Sequence, residues 1–170
     1  MKKVLGILTV LVVVSVVTAS ISPSFLSSYN IENLLRRSAL FGIIGIGASL
    51  VIITGGIDLS SGSLVCLIGC LTPWFITQVG LSAWLVVPGL LLLAAALGFT
   101  HGLLVTRLKL QPFLVTLCGL FIYRGITRGI LADNTVGFGT AESGLRTLGN
   151  GRIPITDGFA LPAPLLILIV

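Results

Sequence analysis

The chain has 170 residues, 55% of them hydrophobic and only 9% charged, and a mean hydropathy of +1.16, whereas soluble domains carry about 25% charge. This excludes a water-soluble globular fold and predicts an all-α polytopic membrane protein of about five to six transmembrane helices. The net charge of +5 does not make a nucleic-acid binder, because the basic residues stand singly or in pairs and form no stripe; they read as topology determinants, with membrane lipid as the surrounding partner.

The first apolar run, Val4 to Ile21, follows Lys2-Lys3. It approaches the ~20 residues needed to span, beyond the usual 7–15 of a signal peptide core, so it reads as an uncleaved first helix with a cytoplasmic N-terminus. After Ser22-Pro23 and Ser27-Ser28-Tyr29-Asn30, the segment Ile31 to Arg37 is short, charged and amphipathic and reads as an interfacial elbow. A second helix is expected from Ser38 to Thr54, with Ser38, Gly42, Gly45 and Gly47 permitting close helix approach. A third run spans Leu64 to Val79 and a fourth Leu81 to Thr100, with no formal charge between Leu59 and Thr106. The segment from His101 to Gln111-Pro112 reads as a loop or helix start, with His101 as a polar cap at a helix end. A fifth run, Pro112 to Tyr123, is short for a span, and residues 129–158, including Asp133, Glu142, Arg146, Arg152 and Asp157, read as an extramembrane loop.

A sixth run begins at Phe159 and reaches Val170 without a basic flank or the length to span, so residues 1–170 are read as a single transmembrane domain truncated at its C-terminal side. The positive-inside count divides: a cytoplasmic N-terminus places Lys2, Lys3, Arg107 and Lys109 inside but Arg36, Arg37, Arg124 and Arg128 outside. Cys66 and Cys70 share a helix face without a His or acid at ligand spacing, and read as small apolar filler; no metal or cofactor is expected.

Between the second and third runs lies Thr54-Gly55-Gly56-Ile57-Asp58-Leu59-Ser60-Ser61-Gly62-Ser63. Gly-Gly loosens a helix and an acid is costly in lipid, so Gly55, Gly56, Asp58, Ser60 and Gly62 are the expected translocation-pathway or structural break. The competing reading is a turn at the membrane surface with Asp58 in water. An aspartyl protease would need a second membrane acid beside Asp58, and Glu32, Asp133, Glu142 and Asp157 all fall in polar segments, so no catalytic residue is expected.

The stretch Val51 to Ser63, followed by Gly102-Leu103-Leu104-Val105, Pro112-Phe113-Leu114-Val115-Thr116-Leu117 and Tyr123-Arg124-Gly125, resembles the permease subunit of ribose/xylose-type ABC sugar importers, within the branched-chain-type binding-protein-dependent permease family. The resemblance runs from about Phe25 onward. It implies the N-terminal half of a permease bundle in the inner membrane, working by alternating access to import a ribose-like monosaccharide. The implied partners are ATP-binding ABC subunits, a periplasmic or lipid-anchored sugar-binding protein and a second permease copy or paralogue, with ATP hydrolysis in the partners alone. Ser61 stands where the family more often has an aliphatic residue, and His101 where it commonly has Asn. The rival readings are a non-transporting permease fragment and a fragment of a secondary transporter, which would show two matching breaks in inverted halves.

Overall fold

The computed structural model describes residues 2–139, 143–156 and 159–169; Glu142 and Asp157, read above as loop acids, lie outside them. Helix α1 (Lys2–Ile21) is followed by a 3₁₀ turn (Pro23–Leu26), then α2 (Ser28–Ile53), α3 (Ser61–Thr77), α4 (Ala83–Thr106) and α5 (Pro112–Leu131). A short helix α6 (Ser143–Asn150), a hairpin of β1 (Arg152–Thr156) and β2 (Phe159–Pro162), and α7 (Ala163–Ile169) complete the order. Among the described residues, α1 from Val4, α2, α4 and α5 are long and apolar enough to cross a membrane, and α3 is a shorter apolar helix of 17 residues. The predicted polytopic helical fold is therefore what forms.

Three boundaries differ from the sequence reading. The elbow at Ile31 to Arg37 lies within the first three turns of α2, because the apolar stretch beyond it continues the same helix without a breaker. α4 runs past Thr100 to Thr106, which puts His101 inside a helix and not at its end. α5 continues through Arg124 and Arg128 to Leu131, starts with Pro112 in its first turn and ends on Ala132 at φ 49°. The segment read as loop also carries α6 and β1.

The chain divides into two compact units, residues 1–42 with 147–170, and residues 43–146. In the first, α1 is apolar all round, and its large hydrophobic side chains from Val4 to Ile21 are 51–78% exposed. A helix of that kind is solvated by lipid or by other helices. Three of its four hydroxyls, on Thr9, Thr18 and Ser20, donate to the carbonyls of Leu5, Val14 and Val16 at 2.8–2.9 Å, which lowers their cost in apolar surroundings.

The hairpin of this unit is held by one buried acid. β1 and β2 pair antiparallel with Arg152 opposite Pro162 and Ile153 opposite Leu161, and the register shifts between Pro154 and Thr156. Glu32, on the first turns of α2 and only 5% exposed, accepts the Ala160 N–H on Oε1 at 3.0 Å. Arg152 Nη1 lies 3.3 Å from Oε2, an ion pair out of line for a hydrogen bond. One turn further along α2, Arg36 donates to Asn150 Oδ1 at 3.2 Å. Proximity of α7 to α2 depends on Gly42, whose missing Cβ would stand 2.9 Å from Leu168 Cδ2.

In the second unit α3 packs against both α4 and α5. The i, i+4 pair Leu67 and Leu71 with Ile76 on α3 meets Val86 and Leu90 on α4 and Tyr123 on α5. The outward faces are no less apolar: Trp84 is 91% exposed and Leu92 72%. In water that distribution would aggregate.

Two outcomes follow from this architecture. The chain should remain with the membrane pellet after alkaline extraction, and recovery as a monomer without detergent would contradict the fold. Glu32→Ala should strand the Ala160 amide at a cost of about 1–3 kcal/mol, so amide exchange should speed up in residues 152–162 and stay unchanged in α3 to α5.

Candidate functional site

The Gly-Gly pair ends α2 through its backbone. Thr54 is followed by Gly55 at φ 76°, a left-handed conformation that costs an L-residue with a Cβ roughly 1–2 kcal/mol. The Gly56 N–H donates to Val51 O at 3.0 Å and the Gly55 N–H to Ile52 O at 2.9 Å. This six-to-one and five-to-two pattern is a Schellman cap, which satisfies carbonyls that a helix end otherwise leaves open. Gly56 has little spare room, since a Cβ there would lie 3.1 Å from Val51 Cγ1.

Beyond the cap the chain turns on Asp58. Its Oδ1 accepts both the Ser60 N–H and the Ser60 hydroxyl, each at 2.7 Å, and Oδ2 accepts the Ser61 hydroxyl at 3.0 Å. Ser60, not Asp58, occupies the N-cap of α3, and its side chain makes no capping bond to the helix. Asp58 instead folds the approach to the helix into a turn closed two residues on. Ser60 O then accepts the Leu64 N–H at 2.9 Å and the Ser63 hydroxyl at 2.7 Å, starting α3.

Two distant helices close on this turn. His101 of α4 places Nδ1 3.5 Å from Ser60 Oγ, the long limit of a hydrogen bond, and Nε2 3.0 Å from the Tyr123 hydroxyl of α5. The His101 and Tyr123 rings stack at 5.7 Å with an interplanar angle of 21°. The imidazole occupies space that Gly119 leaves free: a Cβ on Gly119 would stand 2.5 Å from His101 Cε1 and 3.3 Å from Ser60 Cβ. Thr116, one turn earlier on α5, donates to Ile57 O at 3.1 Å or to Pro112 O at 2.9 Å. Ser60, Thr116 and Tyr123 are 3–6% exposed and Asp58 and Ser61 are half-buried, so the contacts that tie the break to α4 and α5 lie on its inner side.

Of the residues singled out from sequence, Gly55 and Gly56 form the cap, and Asp58 and Ser60 form the turn. Gly62 belongs to neither: it is exposed on the first turn of α3, with nothing within 4 Å of the position its Cβ would take. His101, Tyr123, Gly119 and Thr116 were not among the expected site residues. The signal for His101 was present, as the only histidine of the chain lies within an apolar stretch, where an ionisable residue points to function by default. Gly119 carried no signal, because its importance lies in a ring brought from another helix. Among the described residues no group of three His, Cys, Asp or Glu side chains is placed to hold a metal.

A helical bundle whose outer faces are apolar and whose central break is tied by a buried polar network is the architecture of a multi-pass membrane transport subunit. Residues 30–170 match the family model described as branched-chain amino acid transport system / permease component, and the chain belongs to that family. It is 32% identical over 161 residues to the ribose import permease protein RbsC of Haemophilus influenzae, covering 93% of this chain and 48% of the relative. It is 34% identical over 140 residues to the xylose transport system permease protein XylH of Escherichia coli K12, covering 82% and 35%. Identity to the inner membrane ABC transporter permease protein YjfF of the same strain is 41% over 105 residues, covering 62% and 32%. The chain thus spans about half or less of the length of these relatives. Among permeases it groups with the ribose- and xylose-type ABC sugar permeases and is an inner-membrane protein. No solved structure matches it.

Asp58→Asn should be tolerated, because an amide oxygen still accepts from the Ser60 N–H and hydroxyl. Asp58→Leu should lose about 1–3 kcal/mol for each buried donor left stranded, read as lower yield and thermal stability in detergent. Gly119→Ala should cost about 1–3 kcal/mol by overpacking against the imidazole. Gly125→Ala, where nothing lies within 4 Å of the Cβ position, is the control and should leave the melting temperature unchanged.

Proposed function

We propose that residues 1–170 form part of a single permease domain in an ATP-driven importer of a ribose-like monosaccharide, contributing to the translocation pathway by alternating access. The observation that carries this reading is the family match over residues 30–170, together with relatives named for ribose import and xylose transport. The subunit is not itself an enzyme. ATP is hydrolysed by ATP-binding ABC subunits, sugar is delivered by a periplasmic or lipid-anchored binding protein, and a second permease copy or paralogue completes the pathway. The break from Gly55 to Ser60 is the segment of this chain proposed to border the pathway, because a transport bundle tolerates non-helical backbone at membrane depth only where protein or a water-filled cavity satisfies it.

Uptake of labelled ribose and xylose in a permease-deleted strain, with the permease containing this chain supplied beside its ATP-binding and sugar-binding partners, tests the proposal. Uptake that requires ATP and is insensitive to collapse of the ion gradients is expected. Uptake that follows the ion gradient would favour the secondary-transporter reading, and none at all a non-transporting role. Replacing Gly55 and Gly56 together with Leu should abolish the Schellman cap and lower uptake while membrane insertion persists. Wild-type uptake from that variant would make the break a surface turn without a transport role.

A further inference from the structure

Residues 107–111 join α4 to α5. Both helices are long and apolar enough to cross a membrane, so a connection this short holds its side chains at the level where the helices leave the hydrocarbon. Arg107, the C-cap of α4, is followed by Leu108, Lys109 and Leu110, and all four are exposed. Basic and apolar side chains thus alternate along one tight turn, with Leu108 64% and Leu110 41% exposed. In water the leucines would be a liability, whereas at a bilayer surface they enter the acyl region while the cations stay among the headgroups. The charge of the turn has no counterpart within the protein. Asp58 is the last acid before it and Asp133 the next one after it. Both oxygens of Asp58 are taken by Ser60 and Ser61, and Asp133 lies 3.2 Å from Arg128. Among the described residues Arg107 and Lys109 form no ion pair. Lys109 also stands at φ 55°, a left-handed conformation that glycine adopts freely and a residue with a Cβ only under strain. A lysine at a position whose backbone favours glycine points to a use for its side chain.

We propose that the α4–α5 turn is a binding site for the headgroup of an anionic phospholipid, with Arg107 and Lys109 on the phosphate and Leu108 and Leu110 beside the acyl chains. A guanidinium can take two phosphate oxygens at once, and the lysine ammonium adds a second, mobile positive charge. Each basic residue near an anionic bilayer surface strengthens binding about fivefold. A lipid suits the patch better than an acidic protein surface, because the apolar side runs on into Phe113 and Leu114, exposed on the first turn of the membrane-crossing α5. The patch belongs to this turn whatever the bundle carries, so its test does not use uptake.

Native mass spectrometry of the full chain in detergent micelles, titrated with phosphatidylglycerol or with phosphatidylcholine of the same acyl chains, measures the preference. Phosphatidylglycerol should bind about 25-fold tighter, Lys109→Gly should reduce that preference about fivefold, and Lys109→Gly with Arg107→Gln should abolish it. Lys109→Gly should keep the melting temperature, since its backbone suits glycine, so this single variant decides the matter if the double variant fails to fold. Arg128→Gln, which removes the partner of Asp133 at the far end of α5, should leave the preference unchanged. Free glycerol phosphate at the lipid concentration should not compete. Equal binding of the two lipids, an equal loss from Arg128→Gln, or competition by glycerol phosphate would each overturn the proposal. So would an unchanged lipid preference in Lys109→Gly together with lost retention of the ATP-binding subunit, which would give the patch to an acidic protein surface.

Discussion

The carboxylate of Asp58 is the interaction on which the second unit depends. Around it the outer faces of α3 to α5 are apolar, and in such surroundings a polar group has no water to fall back on. Every donor near the start of α3 therefore has to find a partner within the protein. Asp58 supplies three acceptances at once, to one N–H and two hydroxyls, and so converts a glycine-opened stretch of backbone into a defined turn. Ser60, fixed by it, becomes the platform on which His101 rests. A carboxylate in an apolar bundle is costly only while it is unsatisfied, and here its acceptor capacity is largely used.

The same rule operates in the first unit through Glu32. Glu32 is buried and Asp58 half-buried, and each organises a piece of backbone that has no helix of its own: Asp58 a turn, Glu32 a hairpin strand through the Ala160 amide. They differ in their cations. Glu32 has a guanidinium within 3.3 Å, whereas Asp58 is satisfied by neutral donors alone. A charge held by neutral donors can be replaced by an isosteric amide, while one held by a cation leaves that cation stranded when it is removed.

Glycine acts in two physically separate ways along this chain. Gly55 is required by its own backbone, whose positive φ no β-branched or bulky residue adopts without strain. Gly119 has ordinary helical geometry and is required by its neighbour, because the His101 ring occupies the volume a methyl group would take. The first role is local and legible in a Gly-Gly pair that follows an apolar run. The second is a packing fact with no local mark.

Membrane character, the helical runs and the break at Gly55-Gly56 followed from the sequence alone, because hydropathy and glycine conformation act over a few neighbouring residues. Asp58 and Ser60 were legible for the same reason: their bond spans two residues. Helix ends were less so, since α4 and α5 continue through His101, Arg124 and Arg128, polar residues that a helix of this length accommodates once packing holds its other faces. Tertiary structure alone decided that His101 meets Ser60 across 41 residues and Tyr123 across 22. It likewise decided that Glu32 holds a strand 128 residues away. Such pairings depend on how helices rotate and stack against one another, and no periodicity within a single helix encodes which neighbour its polar face will find.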